Sequence, residues 1–255
     1  MVINHKNTAW NPILLITLNL LAAFVLISWL CPTTRVWWDF IDFSTFIFFN
    51  NSLKTGKGWQ TFWAMCNWRL SDVPQFILIF GIALYWITKQ DKESAKQRII
   101  EYFIFIFLCF FVNFLFKAIL AFLDYRRLSP TKVIHDAFRL SNTITWLITK
   151  DSSNTTFPGD HGFVLICASV FYWLKGGCRL GFISSILFVP FLFPRLVVGA
   201  HWATDILVGS IFMSLITIGC YFGTPIQSSV PLWAENKLEK HFPAIDSFIN
   251  RMVDR

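Results

Sequence analysis

The sequence predicts an all-α polytopic membrane protein: a bundle of six transmembrane helices with an amphipathic helix lying at the interface after the first span. Two observations carry this. The chain of 255 residues is 55% hydrophobic and only 15% charged, against about 25% charged residues in soluble domains. Its apolar residues also fall into runs of roughly bilayer-spanning length, separated by short polar or basic connectors. Twenty-nine Phe and twelve Trp exceed what a soluble core of this size needs. One membrane-embedded domain over 1–255 accounts for the length.

The first span is expected at about 11–31, after a short polar lead with Lys6. It has no strong basic region and no small-x-small cleavage site, so it reads as an uncleaved helix. Pro32 ends it. Residues 35–53 are rich in aromatics, with Asp39 and Asp42 interrupting the run. The uninterrupted part is too short to cross, which predicts a helix in the interface plane. Residues 54–73 continue in that vein, broken by Gly56 and Gly58. Further spans are expected at about 73–88, 99–123, 161–174, 180–194 and 203–222, with a polar tail at 224–255.

Alternation and the Lys/Arg rule are read with the N-terminus inside; the 22 Lys and Arg split about evenly between the two sides, several of the outer ones being the candidate phosphate ligands. The connectors 89–98 and 175–179 and the basic tail (Lys237, Lys240, Arg251, Arg255) are then cytoplasmic, and the excursion 124–157 is outside. A net charge of +7 suits anionic lipids as neighbours or substrates. The basic residues are dispersed between spans and form no stripe, which argues against nucleic acid. The six cysteines (31, 66, 109, 167, 178, 220) show no metal-ligand spacing and read as small buried hydrophobes. A Cys31–Cys66 disulfide stays open as an alternative if both residues face an oxidising compartment.

Three segments carry candidate chemistry, all expected on the outer side. Residues 195–205 hold Arg195, His201 and Asp205 in an otherwise apolar run, where ionisable groups are expensive and usually functional. His201 and Asp205 are four apart and share a helix face. The carboxylate can accept the Nδ1 proton and leave Nε2 free as a nucleophile or base, and Arg195 offers a planar fork for phosphate oxygens. The plainer reading, an ion pair that pins two helices, competes for this segment taken alone. The second segment runs from Lys150 to Gly162 and contains Pro158, Gly159, Asp160 and His161. It is a good helix start with Asp as cap, and it aims backbone N–H groups and a positive dipole end at an anion. The third runs from Lys117 to Arg126 and Arg127; alone, these arginines read as interface residues that snorkel. Two histidines, several guanidinium groups and a helix N-terminus together are what phosphoryl transfer requires.

The pattern Arg195-x5-His201-x3-Asp205, with Pro-Gly-Asp-His161 and an upstream Lys…Arg…Pro, resembles the type 2 phosphatidic acid phosphatase superfamily. The phrases RLSPT (127–131), TKD (149–151), TFPGDHG (156–162) and FPRLVVGAHWATDILVGS (193–210) resemble the bacterial lipid A 1-diphosphate synthases, a likeness spanning most of the chain. The resemblance implies a six-helix inner-membrane bundle with a periplasmic active site and a phosphohistidine mechanism. His201 would be the nucleophile, Asp205 its orienting partner and His161 the general acid. Arg195 and Arg127 would bind phosphate, with Gly159 and Asp160 adding backbone N–H groups; Arg126, Lys117 and Lys150 are further candidates for the same oxygens. Pro-Gly-Asp-His replaces the superfamily's usual Pro-Ser-Gly-His, and the Lys117–Arg127 spacing is longer than the common pattern.

The expected reaction moves a phosphate from undecaprenyl pyrophosphate to the 1-phosphate of lipid A. The alternative is hydrolysis of the same donor or another lipid phosphate by water. Arginines and helix-end amides supply the positive charge, and no carboxylate cluster suits Mg²⁺, so neither metal nor cofactor is expected. A non-enzymatic scaffold would show a damaged constellation, whereas Arg195, His161, His201 and Asp205 are all present.

Overall fold

A computed structural model describes residues 10–68, 70–89, 92–244 and 247. Lys6, Arg251, Arg255 and part of the 89–98 connector lie outside the described residues. Among the described residues the chain is helical, and its only extended pairing is an isolated bridge between Trp68 and Thr149.

Helix α1 (Pro12–Leu30) starts at Asn11, whose side chain accepts the Leu14 N–H, and Pro12 fills the first turn, where no N–H is needed. Pro32 opens α2 (Pro32–Ser52), and α3 (Lys57–Cys66) follows a short 3₁₀ turn at Leu53–Thr55. Next come α4 (Asp72–Thr88) and the long α5 (Lys92–Phe122). The excursion holds two single turns, α6 (Pro130–Val133) and α7 (Leu140–Thr143). Then follow α8 (Asp160–Gly176), α9 (Cys178–Phe188), α10 (Phe193–Val197), α11 (Ile211–Gly223) and α12 (Ile226–His241).

Among the described residues four stretches are long and apolar enough to cross a membrane: Pro12–Leu30, Ala95–Phe122, Cys178–Val197 and Asp205–Gly223. Helix α4 is apolar but shorter, at 17 residues, and α8 is also 17 residues long. Helices α8 and α11 form the centre. Phe163, Phe171 and Tyr172 of α8 pack with Met213, Tyr221 and Phe222 of α11, Phe105 of α5 and Trp86 of α4. Helices α1 and α5 lie outside them and expose Ile13, Leu20, Phe24, Phe107 and Phe114, the outward apolar faces expected of lipid-facing helices.

Helix α2 is inside-out by soluble-protein standards. It buries Asp42 and Asn50 and exposes Val36, Trp37, Phe40 and Phe48. Asn50 bonds both ways with the Phe138 backbone at 2.8 Å, so the polar side of α2 anchors the excursion. At the opposite end, Lys175 pairs with the buried Glu101 at 3.1 Å, and Lys96 with Glu239 of α12 at 2.8 Å. All six cysteines are free thiols.

Candidate active site

His201 is positioned by a sharp reversal after α10. Gly199 takes φ +72, the left-handed region that favours glycine, and an added Cβ would lie 2.7 Å from both Phe46 and Thr131. The Ala200 and His201 N–H groups then return to the Arg195 carbonyl at 2.9 and 3.2 Å. Asp205 opens a widened π-type turn, Asp205–Ser210, that leads into α11; such turns are frequent at functional sites.

The Asp205 carboxylate is fully buried. Its Oδ2 accepts from the Trp202 backbone N–H at 2.8 Å and stands 3.2 Å from His201 Nδ1, while Oδ1 accepts from Arg127 at 2.6 Å. An ionised carboxylate only accepts, so Nδ1 carries the proton and Nε2 keeps its lone pair. Among the described residues Nε2 of His201 has no hydrogen-bond partner, and the ring lines a cavity of about 570 Å³.

That cavity is where the sequence candidates meet. Lys117, Arg126, Lys150, Asp160, His161, Arg195 and His201 all line it, beside Tyr125 and Phe157. The three segments separated in sequence are therefore one surface in space.

Three candidates stand elsewhere. Arg127 turns away from the cavity and spans two buried carboxylates, giving Nη1 to Asp205 and Thr204 (2.6 and 2.8 Å) and Nη2 to Asp42 (2.5 Å). Its guanidinium lies over the rings of Trp29 and Trp202, 5.3 and 5.4 Å from their centroids. Burial works against its charge, but Asp205 and Asp42 outweigh that and push its pKa above the ordinary arginine value. The geometry makes Arg127 the clamp behind the His201–Asp205 pair, because every donor it uses here is committed to that network. Asp205 lies behind His201, which sits in the bend ahead of the helical turn and not on a shared helix face as the spacing predicts. Gly159 is a correction: its N–H donates to the Asp205 carbonyl at 3.0 Å and is not open to a phosphate. The glycine is there for close packing, since a Cβ would lie 2.9 Å from that carbonyl oxygen and from Ser210 Oγ.

Asp160 forms an ion pair with Lys117, which turns a carboxylate that would repel phosphate towards a cation. Among the described residues its Oδ1 has no hydrogen-bond partner. Arg126 is exposed and reaches Asp124 at 3.2 Å. Lys150 is placed by the buried Asn67, whose side chain donates to the Lys150 carbonyl at 2.8 Å.

Two residues that shape the site were not singled out from sequence. Asp42, read only as a break in an aromatic run, accepts from the Thr204 N–H (2.8 Å), Thr204 Oγ1 (2.7 Å) and Arg127. Asp72, one residue ahead of the apolar run of α4, gathers three candidates at once. Its Oδ1 meets Arg195 Nη2 at 2.8 Å and His161 Nε2 at 3.0 Å, and its Oδ2 accepts from Lys150 at 3.0 Å. Burial pushes the Asp72 carboxyl up. Hydrogen bonds from His161 and Lys150, with the positive charges of His161 and Arg195, outweigh this and hold it well below the usual carboxylate range. A carboxylate at the start of a helix is the available signal for Asp72, and it also marks ordinary capping. Among the described residues no group of three or more His, Cys, Asp or Glu could hold a metal ion.

No family model matches the chain, and no solved structure matches it. A curated relative does: the lipid A 1-diphosphate synthase of Escherichia coli (strain K12) is 32% identical over 231 residues, covering 89% of this chain and 96% of the relative. At that identity and coverage, with the histidine, arginine and carboxylate segments brought to one cavity in a helical membrane protein, the chain belongs to the family of the lipid A 1-diphosphate synthase.

Proposed function

We propose that the protein is an inner-membrane phosphotransferase that takes the terminal phosphate of undecaprenyl pyrophosphate and passes it to the 1-phosphate of lipid A. The observation that carries this reading is the cavity in which His201, held through Nδ1 by Asp205, presents its Nε2 edge among Arg195, Lys150, Lys117 and His161. The relative, named a lipid A 1-diphosphate synthase, supports lipid A 1-diphosphate as the product; undecaprenyl pyrophosphate as donor follows from the motif resemblance. Six spans form the bundle, α4 and α8 completing the four longer ones. Helix α2 lies at the interface, and the cavity opens to the periplasm.

The His201 Nε2 lone pair attacks the terminal phosphorus of the donor. The bridging P–O bond breaks, undecaprenyl phosphate departs, and His161 gives the departing oxygen a proton. Arg195 and Lys150 hold the transferring oxygens and stabilise the charge of the transition state; Lys117 and Arg126 extend the positive wall to the second phosphate. Asp205 stabilises the positive charge that His201 gains on phosphorylation, and Arg127 with Asp42 fixes Asp205. An oxygen of the lipid A 1-phosphate then attacks the phosphorus on His201, the N–P bond breaks, and lipid A 1-diphosphate leaves. These cationic groups supply the charge stabilisation without a metal.

The test traps the intermediate. Undecaprenyl pyrophosphate labelled in its terminal phosphate, given without acceptor and quenched in alkali, should leave label on the protein that survives base and is lost in acid. The His201→Gln variant should carry none. Equal labelling of that variant would remove His201 as nucleophile.

A further inference from the structure

The site holds two histidines, each facing a carboxylate, but through opposite ring nitrogens: His201 through Nδ1 to Asp205 at 3.2 Å, and His161 through Nε2 to Asp72 at 3.0 Å. We propose that Asp72 is a positioning residue that fixes His161 as the Nε2–H tautomer, so that the acid proton is delivered from Nδ1. This assignment rests on the reading of His161 as the acid for the departing lipid phosphate.

The acceptor decides which nitrogen carries the proton. Asp72 is ionised among three basic groups and can only accept hydrogen bonds, so the nitrogen facing it must carry a proton. Arg195 Nη2 also lies 3.2 Å from His161 Nε2, which would read as a hydrogen bond if Nε2 were bare. Arg195 already donates to the same Asp72 Oδ1 at 2.8 Å. The closeness of the two nitrogens follows from their sharing one acceptor. If Nε2 were bare instead, its lone pair would face the Asp72 carboxylate, a repulsive contact.

The two cavities meeting at His161 agree with this assignment. Asp72 lines a smaller cavity with Gln75, Phe76 and Val164, and is not on the wall of the larger one that holds His201 and Arg195; His161 lines both. The Nε2 edge is therefore taken up on the Asp72 side. Among the described residues Nδ1 has no hydrogen-bond partner. An imidazolium at His161 would release its Nδ1 proton to the departing oxygen and keep the Nε2 proton on Asp72, ending as one defined neutral tautomer. The next donor then meets a ring already turned, as a carboxylate does for a catalytic imidazole elsewhere.

Asp72 also ties Arg195 and Lys150, so loss of activity alone would not separate these roles. Two measurements on the full-length protein in detergent do. The first reads the ring itself, by nitrogen-15 NMR of histidine-labelled protein at alkaline pH, with His161 assigned by its disappearance in His161→Asn. The wild type should show a protonated Nε2 and a bare Nδ1, and Asp72→Asn should lose that preference. A bare Nε2 in the wild type, or an unchanged spectrum in the variant, overturns the proposal.

The second measurement is a double-mutant cycle on undecaprenyl pyrophosphate turnover. Asp72→Asn should lower kcat on the order of 10²-fold, the scale of a general-acid contribution. It should add almost nothing in the His161→Asn background, and Asp72→Glu should recover most of the loss. Losses that multiply would make Asp72 a support for Arg195, Lys150 or the fold, and the proposal would fall. A melting curve of each variant checks that it is folded. If the wild type turned over no lipid pyrophosphate, the acid role of His161 and the delivery from Nδ1 would both fall. The spectrum would still report whether Asp72 sets the ring.

Discussion

Removing Arg127 should unfold the site before it weakens substrate binding. Its guanidinium is the cation between Asp205, fully buried, and Asp42, 3% exposed. Arg127→Ala leaves two buried carboxylates facing each other across Thr204 without a counter-charge, and breaking a buried pair by removing one partner costs about 3–5 kcal/mol. At roughly 2–4 °C per kcal/mol for a chain of this size, the melting temperature in detergent should fall on the order of 10 °C. Arg127→Lys should recover little, because a single ammonium cannot reach both carboxylates as the planar fork does. Adding Asp42→Asn to Arg127→Ala should restore part of the loss by removing one unpaired charge. Thermal unfolding followed by tryptophan fluorescence measures all three. An Arg127→Ala protein that melts within about 2 °C of the wild type and shows only a raised KM would refute this reasoning. Arg127 would then be a substrate ligand.

Other variants probe the nucleophile and the electrostatics. His201→Ala should abolish turnover while the protein stays folded by circular dichroism, and substantial residual activity would rule out the phosphohistidine. Asp205→Asn should cost on the order of 10⁴-fold in kcat, because the amide no longer fixes the Nδ1–H tautomer; a near-normal rate would make Asp205 structural only. Asp72 has a depressed pKa in the folded state, so it stabilises the fold above its unfolded pKa of ~3.9. That contribution is lost as pH falls towards the folded value. The melting-temperature gap between wild type and Asp72→Asn should thus stay constant above about pH 5 and close below about pH 4. A gap that widens on acidification would contradict the assignment.

Among the described residues hydropathy located four long apolar stretches, because bilayer length and proline breaks are local signals. The run 11–31 became Pro12–Leu30, and 203–222 became Asp205–Gly223. The segments around Lys117, Lys150 to His161 and Arg195 to His201 line one cavity, and they stand out in the sequence because ionisable groups in apolar runs do. What spacing could not say is which way each group points. Arg126 and Arg127 are neighbours in sequence, yet one lines the cavity and the other is buried behind it. That choice depends on Asp42, 85 residues away in the chain. Asp72 was hidden for a related reason. At the first turn of an apolar helix an acidic residue satisfies the helix dipole, and only the packed bundle reveals that it faces His161, 89 residues on. Gly159 misled in the opposite direction: a glycine beside a helix start suggests an anion site, whereas here it admits the backbone of Asp205.

The most direct test of the central claim uses purified protein in detergent with undecaprenyl pyrophosphate, with and without lipid A, read by mass spectrometry and a free-phosphate assay. Lipid A should gain one phosphate, undecaprenyl phosphate should appear, and little free phosphate should be released. Free phosphate released equally in both tubes, with lipid A unchanged, would make water the acceptor and contradict the transferase reading.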